Sequence, residues 1–165
     1  MEIRSLKALE KHLKEQIDDV LRDEVAKTVK QTEQSAIYDV VYGAYGSLAT
    51  NEPKEYRRRY DKKGGLASIQ NMESGVVAGM LHVTNNTPFD DGYNTDNHGI
   101  GLDELVEYGD GGGGFSYEWP VGTNTFGDFY SPRPFTEETI DRLDATGDHI
   151  ESLKNGLRRR GIHVK

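Results

Sequence analysis

The stretch EYGDGGGGFSYEWP holds four consecutive glycines, residues 111–114, and glycine runs of this kind can cradle phosphates in nucleotide-binding proteins. Such a loop needs a preceding strand, a following helix and usually a Lys to meet the phosphate charge. Here FSYEWP follows the glycines and does not favour a helix, while Asp110 and Glu118 on either side would repel a nucleotide. We therefore interpret the run as a flexible loop between strands.

A second stretch whose residue types could support chemistry is DDGYNTDNHG. Its Asp90, Asp91 and Asp96 offer carboxylate oxygens to a metal ion. It lacks the alternating acids and the closing Glu of an EF-hand loop, and Asx-turns explain the same residues without a metal. The histidines show no pair spacing typical of a zinc site, and neither a Cys nor a GxSxG motif is present. We expect neither a cofactor nor enzyme activity. A metal-dependent hydrolase that uses the loop with Asp90 and Asp96 remains an alternative.

Charge is distributed unevenly along this acidic chain of net charge -8. Residues 64–132 contain no Lys or Arg, whereas KEYRRRYDKK at residues 54–63 is basic and includes Arg57, Arg58 and Arg59. A small basic patch in an acidic protein favours a solvated strand or a subunit contact over nucleic-acid recognition. No apolar run is long enough for a membrane span, and the N-terminus lacks the apolar core of a secretion signal. We expect synthesis in the cytoplasm.

Helices and strands must position these stretches. Apolar residues recur at steps of three and four near the N-terminus, which predicts a long helix over about residues 5–42; they are Ile3, Leu6, Leu9, Leu13, Ile17, Val20, Leu21, Val25 and Val29. SGVVAGMLHVTNN alternates as a strand does, with Val77, Leu81 and Val83 on one face and Val76, Ala78, Met80 and His82 on the other. FSYEW and DFYSPRPF predict further strands.

A second amphipathic helix is predicted over residues 136–161, with Thr136 as its N-cap and Gly161 at its end. Gly147 lies on its apolar stripe and is expected to allow a close approach to the first helix. The chain is thus predicted to be one α+β domain, in which residues 1–45 form the long helix and residues 46–135 the sheet and loops. The small sheet is expected to be mainly antiparallel.

Several short motifs resemble the tail-completion or head–tail joining (neck) proteins of long-tailed bacteriophages. The matching pieces are the long N-terminal helix, YRRRYDKKGGLASIQN, the strand VVAGMLHVTNNTP, the segment LDELVEYG, and PRPF before an amphipathic C-terminal helix. These motifs span most of the chain from about Tyr56 onward. The stretch NTPFDDGYNTDNHGIG and the glycine run depart from the family pattern.

The resemblance implies an α+β fold, no enzyme activity and, after synthesis in the host cytoplasm, assembly into a ring at the head–tail junction of the virion. Expected partners are copies of the chain itself, connector or adaptor proteins, tail-tube or tail-terminator proteins, and passing DNA that is not read by sequence. Arg57, Arg58 and Arg59 are predicted at the subunit interface, and Asp110, Glu118 and Asp128 are predicted to face the channel. A host-directed binding protein is a further alternative.

Overall fold

The computed structural model describes residues 5–42, 65–87, 102–108 and 132–164. The first helix, α1, is continuous and consists of four consecutive segments: α-helix Leu6–Val20, a π-helical turn Leu21–Val25, α-helix Ala26–Ala36 and a π-helical turn Ile37–Tyr42. The Ser5 hydroxyl caps it by accepting a hydrogen bond from the Ala8 backbone N–H at 3.2 Å. The predicted long helix is confirmed.

The predicted single strand is instead a hairpin of β1, Met72–Val77, and β2, Met80–Asn85. Ala78 and Gly79 form its two-residue turn with positive φ angles of 53° and 80°, the backbone of a turn matched to the twist of paired strands. The strands pair antiparallel, with Met72 opposite Asn85 and Val77 opposite Met80. A short 3₁₀ turn, Ile69–Asn71, precedes β1.

The hairpin also corrects the predicted faces of the strand. A two-residue turn places Val76 beside Leu81, its partner across the ladder, and so on the same face as Val83. Val77 lies on the other face with Met80, and both side chains are exposed. The predicted alternation of faces is correct within each strand. Across the turn, however, Val76 and not Val77 shares a face with Leu81 and Val83.

Three further helices complete the described structure: α2, Leu102–Tyr108; α3, Phe135–Thr146; and α4, Asp148–Arg159. The prediction of one C-terminal helix was wrong, because Gly147 adopts the left-handed conformation at φ 68° and ends α3. Thr136 is not the N-cap either, since α3 begins one residue earlier. Gly161, at φ 80°, follows the end of α4 as predicted.

Two apolar clusters hold these elements together along α1. The first lies at the C-terminal end of α1 and contains Ile37, Val41, Leu66, Ala67, Met72 and Phe135, with Val106 of α2 packed against it. The second lies at the middle of α1, where Val20 and Val25 meet Leu157 of α4. Fold class is therefore confirmed as α+β, mostly helical, with a two-stranded antiparallel sheet among the described residues.

Helix α4 crosses α1 closely at Gly156. A Cβ at this position would collide with the Glu24 carboxylate and with Val20. The neighbouring turns are joined by a 2.7 Å hydrogen bond between the Thr28 and Ser152 hydroxyls and by a 3.1 Å ion pair between Arg160 and Glu24. The close approach predicted at Gly147 thus occurs within α4 instead, since a Cβ on Gly147 would meet nothing within 4 Å.

Candidate functional site

The residues predicted to carry function lie outside the described residues. This holds for Arg57, Arg58 and Arg59, for the loop with Asp90, Asp91 and Asp96, for the glycine run at 111–114, and for Asp110, Glu118 and Asp128. Their roles stay predictions. The described residues do show where the chain enters and leaves these three stretches, and several of those points lie beside the apolar cluster at the C-terminal end of α1.

A buried polar network joins the end of the first stretch to the start of the second. Asn85, at the end of β2, donates from Nδ2 to Glu33 Oε1 of α1 at 3.0 Å and to the Leu66 carbonyl oxygen at 2.9 Å. Its Oδ1 accepts from the Thr87 hydroxyl at 2.6 Å and from the Thr87 backbone N–H at 3.2 Å. One amide side chain therefore ties together α1, the chain at Leu66 and the chain at Thr87.

Further bonds close the same network. Asn71 Nδ2 donates to the Gly65 carbonyl oxygen at 2.9 Å, and the Asn86 backbone N–H donates to the Asn71 carbonyl oxygen at 2.8 Å. Gln34 Nε2 of α1 donates to the Ala67 carbonyl oxygen at 2.7 Å. We call Glu33, Asn85, Thr87 and the carbonyl groups of residues 65–67 the anchoring junction. Residues 43–64 end at it and residues 88–101 begin from it.

The ends of the third stretch, residues 109–131, are fastened beside α2 and α3. The Arg133 backbone N–H donates to the Val106 carbonyl oxygen at 2.9 Å. The Thr136 backbone N–H donates to Glu107 Oε2 at 3.1 Å, so a carboxylate of α2 caps the N-terminus of α3. Phe135 belongs to the apolar cluster at the C-terminal end of α1, and Val106 packs against that cluster.

Glu33 is the unusual member of the junction, because its carboxyl group is almost fully buried, with 7% of the residue exposed. Burial raises the pKa of Glu33, and the hydrogen bond from Asn85 opposes that rise. The negative charges of Glu107 and Asp103 raise the pKa further, while Lys30 lowers it. The junction therefore favours the protonated form of Glu33 more than water does.

The pKa of Glu107 is also raised, for a similar reason. Burial raises its pKa, and the hydrogen bonds that it accepts at the start of α3 lower it again. Two carboxyl groups from different helices thus lie in a region where ionisation is disfavoured. Perturbed carboxyl groups occur at catalytic sites and also in structural networks.

The geometry supports the structural role here. Both polar atoms of the Asn85 amide are bonded within the chain, and the described residues contain no group of three or more His, Asp or Glu able to hold a metal ion. What the junction does is hold the end of residues 43–64 and the start of residues 88–101 at fixed positions on a packed core. No helix in the described part of the chain has both the length and the apolar character needed to cross a bilayer.

Sequence reasoning missed this junction. Val25, Val29, Glu33, Ile37 and Val41 follow one another at steps of four, so Glu33 lies on the buried stripe of α1. A single carboxylate on an otherwise apolar stripe signals a buried hydrogen-bonded group, since an unpaired buried charge is costly. Asn85 carries no comparable signal, because its role depends on the hairpin that places it beside Glu33.

The structure thus defines an α+β protein with a packed core, to which long connecting stretches of the chain are anchored. The YomN family model matches residues 5–159, and the chain belongs to that family. Searches of curated proteins and of solved structures found no match.

Proposed function

We propose that this protein is a structural component of the phage neck. In this role, copies of the chain form a closed ring between the capsid connector and the tail, and DNA passes through it. Its place is then the head–tail junction of the virion. The proposal includes connector or adaptor proteins on one side of the ring and tail-tube or tail-terminator proteins on the other.

One observation carries the proposal: the motifs that resemble neck proteins meet in space. GGL contributes Gly65 and Leu66 to the anchoring junction, and the strand motif ends on Asn85 and Thr87. LDELVEYG and PRPF meet through the bond between Val106 and Arg133. Motifs that are distant in sequence but adjacent in the fold describe one structural unit, which supports the resemblance as a whole.

Charge supplies the contacts of the proposed ring. A closed ring needs heterologous contacts, in which two different patches of each subunit meet. The basic residues Arg57, Arg58 and Arg59 precede the anchoring junction, and the acidic stretches that contain Asp96 and Asp110 follow it. Attraction between these oppositely charged stretches of adjacent subunits is the proposed ring contact.

The direct test is the mass of the assembled species, measured by native mass spectrometry with and without the connector and tail proteins. A closed ring, sixfold by our expectation, supports the proposal. A monodisperse monomer that forms no ring even with those proteins present contradicts it. Reversing the charge of Arg57, Arg58 and Arg59 to Glu should prevent ring closure while leaving the fold intact, as judged by circular dichroism.

Asp110, Glu118 and Asp128 are proposed to face the channel. An acidic lining repels the DNA backbone at short range, whereas lysines would hold phosphates by releasing their counterions. Particles with Lys at these three positions should assemble but eject DNA slowly or not at all. Normal ejection from such particles would remove the channel assignment without affecting the ring.

The metal-dependent hydrolase is distinguished by a different measurement. A metal that binds the folded chain at Asp90 and Asp96 raises the melting temperature by mass action. Thermal unfolding with calcium, magnesium, manganese or zinc, compared between the natural chain and an Asp90→Asn/Asp96→Asn variant, decides it. A shift that the variant loses favours the hydrolase, and no shift in either favours the neck protein.

A further inference from the structure

The N-terminal part of α1 extends beyond the packed core. Residues 5–19, which we call the arm, precede Val20, the first buried residue of the helix. Leu6 is 73% exposed, Leu9 36% and Ile17 37%. The apolar row formed by Leu6, Leu9, Leu13 and Ile17 thus continues the core stripe of α1 into a region where it has little to pack against.

A row of charged residues runs beside this apolar row. Lys7, Glu10, Lys14 and Asp18 follow the same spacing of three, four and four residues, displaced by one position along the chain. Residues at these steps lie on one side of a helix. Their charges alternate in sign from Lys7 to Asp18. Within the described residues, none of Lys7, Glu10 and Lys14 forms an ion pair, and all three are exposed.

This charge order is complementary to itself when reversed. In an antiparallel pair of helices related by a twofold axis, one side of each helix lies beside the same side of its copy, with the direction reversed. Glu10 then meets Lys14 of the other copy. This match of opposite charges occurs twice in the pair. In a parallel pair, the charged row of one helix would instead lie beside the side of the other helix that carries His12 and Gln16.

We propose that the arm is a self-association surface, which pairs antiparallel with the arm of a second copy of this chain. The apolar rows of the two arms bury each other, and the charged rows set the direction of the pair. This inference goes beyond the neck proposal and does not depend on it, because it rests on the arm alone.

The physical terms favour a weak and specific pair. The arm is helical before it binds, since it continues a helix that the core already holds, so pairing does not require helix nucleation. The row from Lys7 to Asp18 is roughly 16 Å long, at about 1.5 Å per residue. So short a contact buries less area than a standard interface, and we expect a dimer that dissociates on dilution.

Charge reversal tests the pairing on the full-length chain by sedimentation equilibrium over a range of concentrations. Glu10→Lys and Lys14→Glu each place like charges opposite one another twice, which should weaken the dimer by roughly fivefold to tenfold. An equimolar mixture of the two variants should regain association, because one chain then carries positive charge at both positions and the other negative charge at both, so that both contacts of the mixed pair join opposite charges. The double variant E10K/K14E should associate with itself as the natural chain does, because each substituted lysine then faces a substituted glutamate.

A matched control uses the same chemical change on the far side of the arm. Glu15→Lys makes the change of Glu10→Lys at an exposed Glu that belongs to neither row, and should leave the dissociation constant within about twofold. Leu6→Gln shortens the apolar row at its most exposed member and should weaken the dimer without altering the fold. Circular dichroism of each variant separates loss of association from loss of helix.

Cross-linking fixes the direction, since the chain has no natural Cys. Leu6→Cys mixed with Ile17→Cys should give a disulfide-linked dimer, because reversal brings opposite ends of the two apolar rows together, and neither variant should cross-link alone. The proposal is overturned if the natural chain stays monomeric at every concentration, if Leu6→Cys cross-links to itself, or if the double variant E10K/K14E fails to associate.

Discussion

The two ends of α1 have the same apolar spacing but opposite surroundings. At the C-terminal end, Ile37 and Val41 are fully enclosed by the hairpin, α2 and α3. At the N-terminal end, Leu6 and Leu9 continue the same stripe and remain exposed. The spacing of apolar residues therefore shows which face of a helix is apolar, but not what covers that face. One end is covered by the chain itself, and the other is available to a partner.

The largest expected contrast comes from one substitution made at both ends. Ile37→Ala removes a side chain that is 0% exposed and leaves a cavity, which should lower the free energy of unfolding by about 2–5 kcal/mol. Ile17→Ala removes the same atoms from the arm and should cost less than about 1 kcal/mol. Urea unfolding at concentrations where the chain is monomeric measures both. Equal losses would contradict the comparison.

The boundary between the two ends lies at the crossing of α1 and α4. Gly156→Ala places a methyl group against the Glu24 carboxylate and Val20 and should destabilise the protein by about 1–3 kcal/mol, despite the better helix propensity of Ala. Gly75→Ala is the control, because a Cβ there would meet nothing within 4 Å. Thermal unfolding of the two variants should differ clearly. A stabilised Gly156→Ala variant would mean that the helices do not approach closely.

The anchored end should also respond to pH through Glu33. Its pKa is raised in the folded state, so the contribution of this group to stability is fully present below the ordinary Glu value of 4.5 and is lost as the pH rises through the raised value. Glu33→Gln keeps an acceptor for Asn85 and removes the ionisation. The variant should therefore be more stable than the natural chain at pH 7, and this advantage should vanish below pH 4.5.

Glu33→Ala provides the control for that experiment. It removes the charge and one acceptor of the Asn85 amide, and leaves one buried N–H without a partner while the bond to the Leu66 carbonyl oxygen remains. The alanine variant should be less stable than the glutamine variant at every pH. If the two variants behave alike, the hydrogen bond to Asn85 contributes nothing and the anchoring junction is not held as described.

The smallest effect is expected at the tip of the hairpin, which is exposed at its turn and buried at its base. Ala78 adopts a positive φ of 53°, which is costly for Ala and readily adopted by Asn. Ala78→Asn should raise the free energy of unfolding by about 0.5–1 kcal/mol. Gly79→Ala, at φ 80°, should lower it. Thermal unfolding checks both, and a loss of stability in Ala78→Asn would contradict the assigned turn.

The sequence was sufficient to predict features that depend on the spacing of neighbouring residues. It was insufficient to predict features that depend on contacts between distant parts of the chain. The steps of three and four residues predicted α1, and Gly161 marked the end of the last helix. The turn at Ala78 and Gly79 was missed because Ala rarely adopts a positive φ, so it gave no turn signal. Gly147 was assigned to packing because its place on the apolar stripe concealed its role as a helix end.

The candidate site follows the same division. Glu33 could have been found from its place on the buried stripe, whereas its bond to Asn85 depends on chain segments 52 residues apart. The predictions for Arg57, Arg58, Arg59, Asp110, Glu118 and Asp128 concern stretches outside the described residues, and they rest on charge and on the resemblance. The structure adds where these stretches are attached.

The most direct test of the proposed neck role is imaging of phage particles produced with and without the gene for this chain. A neck protein should form a ring at the head–tail junction, and removal of its gene should give filled heads separated from free tails. Complete particles in the absence of the gene, or purified virions that do not contain the protein, would contradict the proposed function.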